Sequence, residues 1–103
     1  MYLINRTIEI APDVNPAEAI QAANTIAAYL SRKHGVDAKV AVNVSGYQHE
    51  LHWIVITDSI DSMADYAAER AADEEWQTLL APYLEAALFS PNTTRDEILR
   101  ITN

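Results

Sequence analysis

One histidine has both the residue type and the predicted surroundings for proton-transfer chemistry. His52 lies among apolar neighbours in a predicted strand over residues 50–57. Histidine exchanges a proton near neutral pH, so a partly enclosed imidazole can act as a general base. Buried polar groups are also commonly satisfied by their neighbours, and Asn43 lies across the predicted strand pair. His52 is therefore predicted to be either the catalytic residue or a structural histidine that is hydrogen-bonded to Asn43.

Polar side chains on the same strands supply candidate ligand-binding groups. Asn5 and Thr7 share one parity of the first predicted strand, and Asn43 is predicted to share that face of the sheet with His52. The amides of Asn5 and Asn43 either orient a carbonyl or hydroxyl group of a ligand or satisfy each other. Tyr47 lies near the mouth of the predicted hairpin and offers a phenol to the same space.

Arg6 is the cation among these candidates, and it falls on the apolar parity of its strand. It has two interpretations. Either it binds an anionic ligand, or it pairs at the edge of the sheet with a carboxylate such as that of Glu9 or Asp96.

The sequence contains no pattern that predicts a metal or a tightly bound cofactor. The acidic run from Asp61 to Glu75 has no histidine three or four positions away, so it is predicted to be a solvated helix face. His34 and His49 are expected to be exposed. With two glycines and no cysteine, the chain has no phosphate loop, dinucleotide turn or thiolate. We therefore expect no cofactor.

Local patterns predict the elements that hold these residues. Alternation predicts strands over residues 2–10, 39–45 and 50–57. A first helix is predicted to start after Asn15, with Pro16 at its first position, and to end at Gly35. Capping residues predict two further helical segments, which start after Ser59 and Asp73.

The last elements complete an α+β order. Pro82 is predicted to kink or interrupt the third helical segment because it lacks an amide hydrogen. The tail is either a strand over residues 95–102, with Leu99 and Ile101 inward, or one helical turn capped by Thr94 and Glu97. With the strand, the order is β-α-β-β-α-β, a ferredoxin-like unit with a four-stranded antiparallel sheet and both helical segments on one face.

The hairpin register decides which side chains share a face. A loop of two or four residues pairs Asn43 with His52 and Val42 with Trp53. The face towards the helices is then apolar, with Val40, Val42, Val44, Leu51, Trp53 and Val55. The other face is mixed but apolar at Ile54 and Ile56, so a second copy with two-fold symmetry is expected to cover it. The two sheets would enclose an apolar hollow with a few polar groups, which is typical of a small-molecule site.

Composition excludes several classes of partner. The 103 residues are enough for one domain, and 7 Lys and Arg against 15 Asp and Glu give a formal net charge of −8. Nucleic acids and anionic membranes require clustered cations, so neither is expected as a partner. We find no signal-peptide pattern and no apolar run long enough to span a membrane, and we expect a cytoplasmic protein.

Scattered motifs resemble the dimeric α+β barrel superfamily, and within it the small bacterial NIPSNAP-like proteins. The resemblance covers nearly the whole chain as a loose pattern. It rests on Gly46, Ser59, Tyr66 and the segments His52-Trp53-Ile54-Val55, Asp73-Glu74-Glu75-Trp76 and Thr94-Arg95-Asp96-Glu97-Ile98-Leu99.

The resemblance implies a homodimer with a ligand cavity in each half of a barrel. The superfamily includes cofactor-free monooxygenases, haem-degrading oxygenases, isomerases, polyketide cyclases and ligand-sensing domains. Haem degradation is set aside, because the expected axial histidine is missing from residues 59–88. His52 and Tyr47 match the Tyr/His pair of the cyclases only weakly.

Two functions remain. One is a homodimeric cavity enzyme that acts on a hydrophobic aromatic or polyketide-like molecule, with His52 transferring the proton. The other is a non-catalytic dimer that binds a ligand or a protein.

Overall fold

Seven elements build the fold. A computed structural model describes residues 1–103. The elements are β1 (Tyr2–Glu9), α1 (Pro16–His34), β2 (Asp37–Val42), β3 (Glu50–Thr57), α2 (Ile60–Ala71), α3 (Glu74–Glu85) and β4 (Arg95–Arg100). The predicted α+β class and the four-stranded antiparallel sheet are confirmed, with the second helical segment divided into α2 and α3.

Helix α1 is bounded by the residues that the sequence indicates. The Asn15 side chain accepts a hydrogen bond from the Ala17 amide at 3.0 Å, which satisfies one free donor of the first turn. Gly35 ends the helix with φ at 68°, a left-handed conformation that suits glycine. One face of α1 is buried, and its buried residues are Ala19, Ala22, Ala23, Ile26, Ala27, Tyr29 and Leu30.

The sheet has the strand order β2-β3-β1-β4. Strand β1 is central and pairs with both β3 and β4, so that Thr7 lies opposite both His52 and Arg95. In the hairpin, Ala41 pairs with His52 and Val42 pairs with Leu51. The predicted pairing of Asn43 with His52 is therefore wrong by two residues.

The slip in register has a local cause. Strand β2 ends at Val42, and residues 43–49 form a longer connection than predicted. Side chains close this connection: the Asn43 amide donates to the Tyr47 carbonyl at 2.5 Å and the Gln48 amide donates to the Val44 carbonyl at 3.1 Å. Because the slip is an even number of residues, each strand residue keeps the face that its parity predicts.

The helix side of the sheet forms the core. Leu51 is fully buried against Ile10, Ala19 and Ala23, and the Trp53 indole donates to the Ala23 carbonyl at 3.2 Å.

Two valines depart from the predicted core face. Val42 is 46% exposed and Val44 is 92% exposed, so the prediction of a wholly apolar inner face is wrong for them. Val42 is the last residue of β2, and Val44 lies in the connection and not in the strand.

Helices α2 and α3 lie less deeply against the sheet than α1. Ser59 and Asp73 cap them, each accepting a backbone amide at 3.1 Å. Pro82 does not interrupt α3, which continues to Glu85. Neither helix contains a fully buried residue, so space remains beneath α2. None of the helices combines the length and the apolar character needed to cross a membrane.

The tail forms a strand, which confirms the first of its two predicted alternatives and excludes the helical turn. All six residues of β4 are exposed, because β4 is an edge strand. Leu99 was expected to point inward, but it pairs with Leu3 on the face away from the helices and is 51% exposed.

Candidate functional site

The face of the sheet away from the helices carries most of the predicted site residues. Leu51, Trp53 and Val55 face the helices, so the alternate residues of β3 and their cross-strand partners take the opposite face. We call this surface the open face. Its members on β1, β3 and β4 are Leu3, Asn5, Thr7, Glu9, Glu50, His52, Ile54, Ile56, Arg95, Glu97 and Leu99.

His52 lies at the centre of a hydrogen-bonded group on the open face. Its Nδ1 atom is 2.9 Å from Thr7 Oγ1 and 3.1 Å from Asn5 Oδ1. Its Nε2 atom is 2.5 Å from Asn43 Oδ1. Three of the predicted ligand-binding residues therefore meet at the predicted catalytic histidine. The hydrogen bond to Asn43 also matches the structural interpretation of His52.

The contacts of Asn43 determine the proton arrangement. Its Nδ2 atom donates to the Tyr47 carbonyl and to Glu50 Oε1, so its Oδ1 atom accepts the proton on His52 Nε2. In the neutral imidazole the lone pair is then on Nδ1, where the Thr7 hydroxyl donates and where Asn5 Oδ1, itself an acceptor, makes no hydrogen bond. When His52 is protonated, Nδ1–H donates to the Asn5 or Thr7 oxygen.

Glu50 extends this group across the sheet. Glu50 is only 7% exposed. Its carboxylate accepts a hydrogen bond from Asn43 Nδ2 at 3.1 Å and from Arg95 Nη2 at 3.4 Å. A buried carboxylate needs such partners, since an unpaired charge away from water is costly. Neither Glu50 nor Arg95 was predicted as a site residue from the sequence. Their signal was strand parity, because Glu50 stands two residues before His52 and Arg95 lies opposite Thr7.

Tyr47 and Arg6 lie away from the histidine. Tyr47 lies in the connection between β2 and β3 and is 54% exposed. Its backbone carbonyl, and not its phenol, accepts a hydrogen bond from Asn43. Arg6 points to the helix side of the sheet, where Nε and Nη2 donate to the two oxygens of Asp96 at 2.8 and 2.9 Å. This bidentate pair raises the pKa of Arg6 and lowers the pKa of Asp96, with the shared hydrogen bonds as the main cause.

An apolar patch adjoins the polar group on the open face. Leu3 pairs with Ile56 on one side and with Leu99 on the other, and Ile54 lies opposite Asn5. Ile56 is 38% exposed and Leu99 is 51% exposed. Within one chain no helix covers this patch, because all three helices lie on the other face.

Comparison with solved structures identifies the fold. No protein-family model and no functionally curated protein matches the chain. A NIPSNAP domain protein from Burkholderia xenovorans has a TM-score of 0.79 at 14% identity, covering 99% of this chain and 95% of that chain. A NIPSNAP family protein of unknown function from Agrobacterium tumefaciens has a TM-score of 0.76 at 20% identity, covering 96% and 86%.

A third structure extends the likeness to a described activity. SnoaB, a cofactor-independent oxygenase from Streptomyces nogalater, has a TM-score of 0.66 at 14% identity, covering 99% of this chain and 93% of that chain. The chain shares the ferredoxin-like α+β fold of these structures. The resemblance noted from the sequence is thus confirmed for the fold, and at these identities the likeness carries no activity across.

The fold also holds a second histidine cluster, on the helix side of the sheet. The side chain of His34 is 6% exposed, so the expectation that it is exposed is wrong. Its Nε2 atom is 2.9 Å from Asp73 Oδ2, and the Tyr29 hydroxyl donates to the same oxygen. Asp73 is the N-cap of α3, and its contact with His34 joins the start of α3 to the end of α1, where His34 is shielded from water.

Charge and burial set the ionisation of this cluster. The hydrogen bond from Tyr29 is the main cause that lowers the pKa of Asp73. Burial, followed by the hydrogen bond to Asp73, raises the pKa of Tyr29 to about 12. Asp73 is therefore an ionised acceptor for both Tyr29 and His34 at neutral pH.

Proposed function

We propose that this protein is a homodimer whose open faces meet, and that each protomer binds a small hydrophobic molecule there. His52 would act as a general base without a cofactor on an aromatic or polyketide-like substrate, in the cytoplasm. The observation that carries the proposal is the position of the His52 imidazole, held between polar side chains beside an uncovered apolar patch.

The apolar patch supports the dimer. Patches such as the one formed by Leu3, Ile54, Ile56 and Leu99 commonly mark interfaces on small proteins. A two-fold axis in the plane between the two sheets would place the same patch against itself, so that each copy covers the patch of the other. The polar group around His52 would then line the space between the sheets, where a ligand is shielded from water.

The hydrogen bonds support proton transfer. A substrate with an enolisable C–H or a phenolic O–H would replace the Thr7 hydroxyl at Nδ1 and give its proton to His52. The resulting imidazolium would be stabilised by the Asn5 and Asn43 oxygens, with the Glu50 carboxylate behind Asn43. Cyclisation, isomerisation and cofactor-free oxygenation can each begin with such a step, and the oxygenase activity of SnoaB agrees with the last of these.

One observation favours a second candidate, a non-catalytic dimer that binds a ligand or a protein. Both ring nitrogens of His52 already have partners within the chain, and no buried polar side-chain atom lacks one. A network that is complete without a ligand is also what a purely structural histidine requires.

Turnover measurements separate the two candidates. His52→Ala and His52→Gln are compared with the wild-type protein on a panel of aromatic and polyketide-like substrates, with His49→Gln as a control histidine outside the network. Loss of turnover in both His52 variants, with His49→Gln active, supports the proposed base. Equal turnover in all proteins removes His52 from the mechanism, and sedimentation at micromolar concentration tests the dimer independently.

A further inference from the structure

A pocket of about 400 Å³ lies on the opposite side of the sheet from His52. It is bounded by α2, the end of α1 and the adjoining ends of β2 and β3. Ile4, Val36 and Val55, which are buried or half-buried, form its floor. Its volume is within the range of small-molecule sites, about 300–1,000 Å³. Ile56 of the open face also lines this pocket, but no residue of the His52 network does.

His34 presents one ring nitrogen to this pocket. Asp73 accepts the proton of Nε2, so in the neutral imidazole the lone pair is on Nδ1. Nδ1 makes no hydrogen bond, because the nearest carboxylate oxygen, Glu69 Oε2, is 3.7 Å away. No enclosed polar side-chain atom lacks a partner, so Nδ1 is not fully enclosed, and His34 and Glu69 both line the pocket. A side chain that is 94% buried thus holds an unpartnered acceptor at the pocket wall.

The imidazole of His34 is also held in place. Asp73 Oδ1 accepts the amide of Glu75 at the start of α3, and Asp73 Oδ2 is shared by Tyr29 and His34. The ring of Tyr66 packs edge-on against the ring of His34, with centroids 6.0 Å apart. The position of Nδ1 is therefore set before any ligand arrives, which lowers the entropic cost of binding.

The charge of the lining restricts the ligand. Four exposed carboxylates line the pocket: Asp37, Asp58, Asp65 and Glu69. Asp37 pairs with Lys39 at 3.3 Å, whereas Asp58, Asp65 and Glu69 have no lysine or arginine within ion-pair distance, and neither residue type lines the pocket. An anion would be repelled, whereas a cation would be attracted. His34 Nδ1 and Glu69 Oε2 are both acceptors, and their separation allows one ammonium group to donate to each.

We propose that this pocket binds a small primary amine with an apolar body. Its ammonium group lies between His34 Nδ1 and Glu69 Oε2, and its apolar body lies on the floor formed by Ile4, Val36 and Val55. The proposal does not rest on the function of the open face, because His52 and its partners take no part in it.

Calorimetry on the full chain tests the ligand class. The probe is 2-phenylethylamine, compared with the uncharged 2-phenylethanol and the anionic 3-phenylpropanoate at the same concentrations. The amine is expected to bind more tightly than the alcohol, and the anion is expected not to bind. Equal binding of amine and alcohol, or no binding of the amine at millimolar concentration, overturns the proposal.

Two charge-matched variants locate the site. Glu69→Gln keeps the shape of an exposed side chain and removes one charge, and Glu85→Gln removes the same charge from α3 outside the pocket. Glu69→Gln is expected to weaken binding of the amine at least about threefold, with Glu85→Gln unchanged. The amine should also shift the ¹⁵N resonance of His34 Nδ1 and leave that of His52 in place. Equal weakening in both variants, or a shift at His52 alone, contradicts the assignment.

Discussion

The Nε2 atom of His52 lies 2.5 Å from Oδ1 of Asn43, although the residue that pairs with His52 across the sheet is Ala41. Asn43 reaches the imidazole from the connection after β2, and its amide nitrogen is held by Tyr47 and Glu50. One asparagine therefore links the histidine to the buried carboxylate, and it also closes the connection that sets the hairpin register.

Replacement of Asn43 by alanine is expected to destabilise the fold. Asn43→Ala removes the acceptor of His52 Nε2 and one donor to the buried Glu50, and leaving such groups unpaired costs about 1–3 kcal/mol of unfolding free energy. Urea unfolding followed by circular dichroism measures the change. Gln48→Ala is the control, because it removes an exposed hydrogen bond in the same connection. Equal loss in both variants would show that Asn43 acts on the connection alone.

The pair of Arg6 and Asp96 predicts a stability difference that depends on pH. Its carboxyl pKa lies below the ordinary 3.8, so the pair stabilises the fold above that pH and this contribution is lost as pH falls through the lower pKa. Asp96→Asn should therefore lower the free energy of unfolding by about 0.2–1 kcal/mol near neutral pH, since the side chains of Arg6 and Asp96 are both partly exposed.

The measurement for Asp96 compares unfolding free energies along a pH series. The difference in unfolding free energy between the wild type and Asp96→Asn is expected to become smaller below about pH 4, where the Asp96 carboxyl of the wild type becomes protonated. Asp13→Asn, at an exposed position without an ion pair, should show no such narrowing. A gap that stays constant down to acid pH would exclude the ion pair as its cause.

The parts of the fold that could be predicted are those determined by near neighbours in sequence. Asn15, Pro16 and Gly35 bound α1 through contacts within a few residues, and strand parity placed Asn5, Thr7 and His52 on one face. The predicted hairpin register was wrong because the register depends on hydrogen bonds made by the Asn43 side chain, and an alternation of apolar and polar residues does not indicate such bonds.

The second histidine cluster could not be found in this way. His34 sits at the end of a helix among charged residues, and locally it has the pattern of a surface residue. Its burial depends on Asp73, which is 39 positions further along the chain and which also caps α3. Such a contact follows from the packing of α1 against α3, and neither helix alone indicates it. Glu50 was missed for a related reason, because its partners come from the connection and from β4.

Tyr29 predicts a loss of stability in alkali. Its pKa is raised from 10.0 to about 12, so the folded state holds the phenol proton more tightly than the unfolded state. The contribution of Tyr29 to the free energy of unfolding is fully present below pH 10 and declines as the pH rises towards about 12. The free energy of unfolding of Tyr29→Phe should decrease less steeply over this pH interval than that of the wild type. Tyr47→Phe, whose ring is exposed, should follow the wild type, and parallel curves for all three proteins would contradict the prediction.

The two exposed leucines Leu99 and Leu84 provide a matched test of the dimer. Leu99 is 51% exposed on the open face, whereas Leu84 is 75% exposed on α3, on the other side of the sheet. If the open faces meet, Leu99→Arg buries a charge at the interface twice over because of the two-fold symmetry, and the dimer should dissociate. Leu84→Arg should leave it intact. Sedimentation velocity at micromolar concentration distinguishes the species. A wild-type monomer, or a dimer that survives Leu99→Arg and is lost in Leu84→Arg, would show that the open face is not the interface.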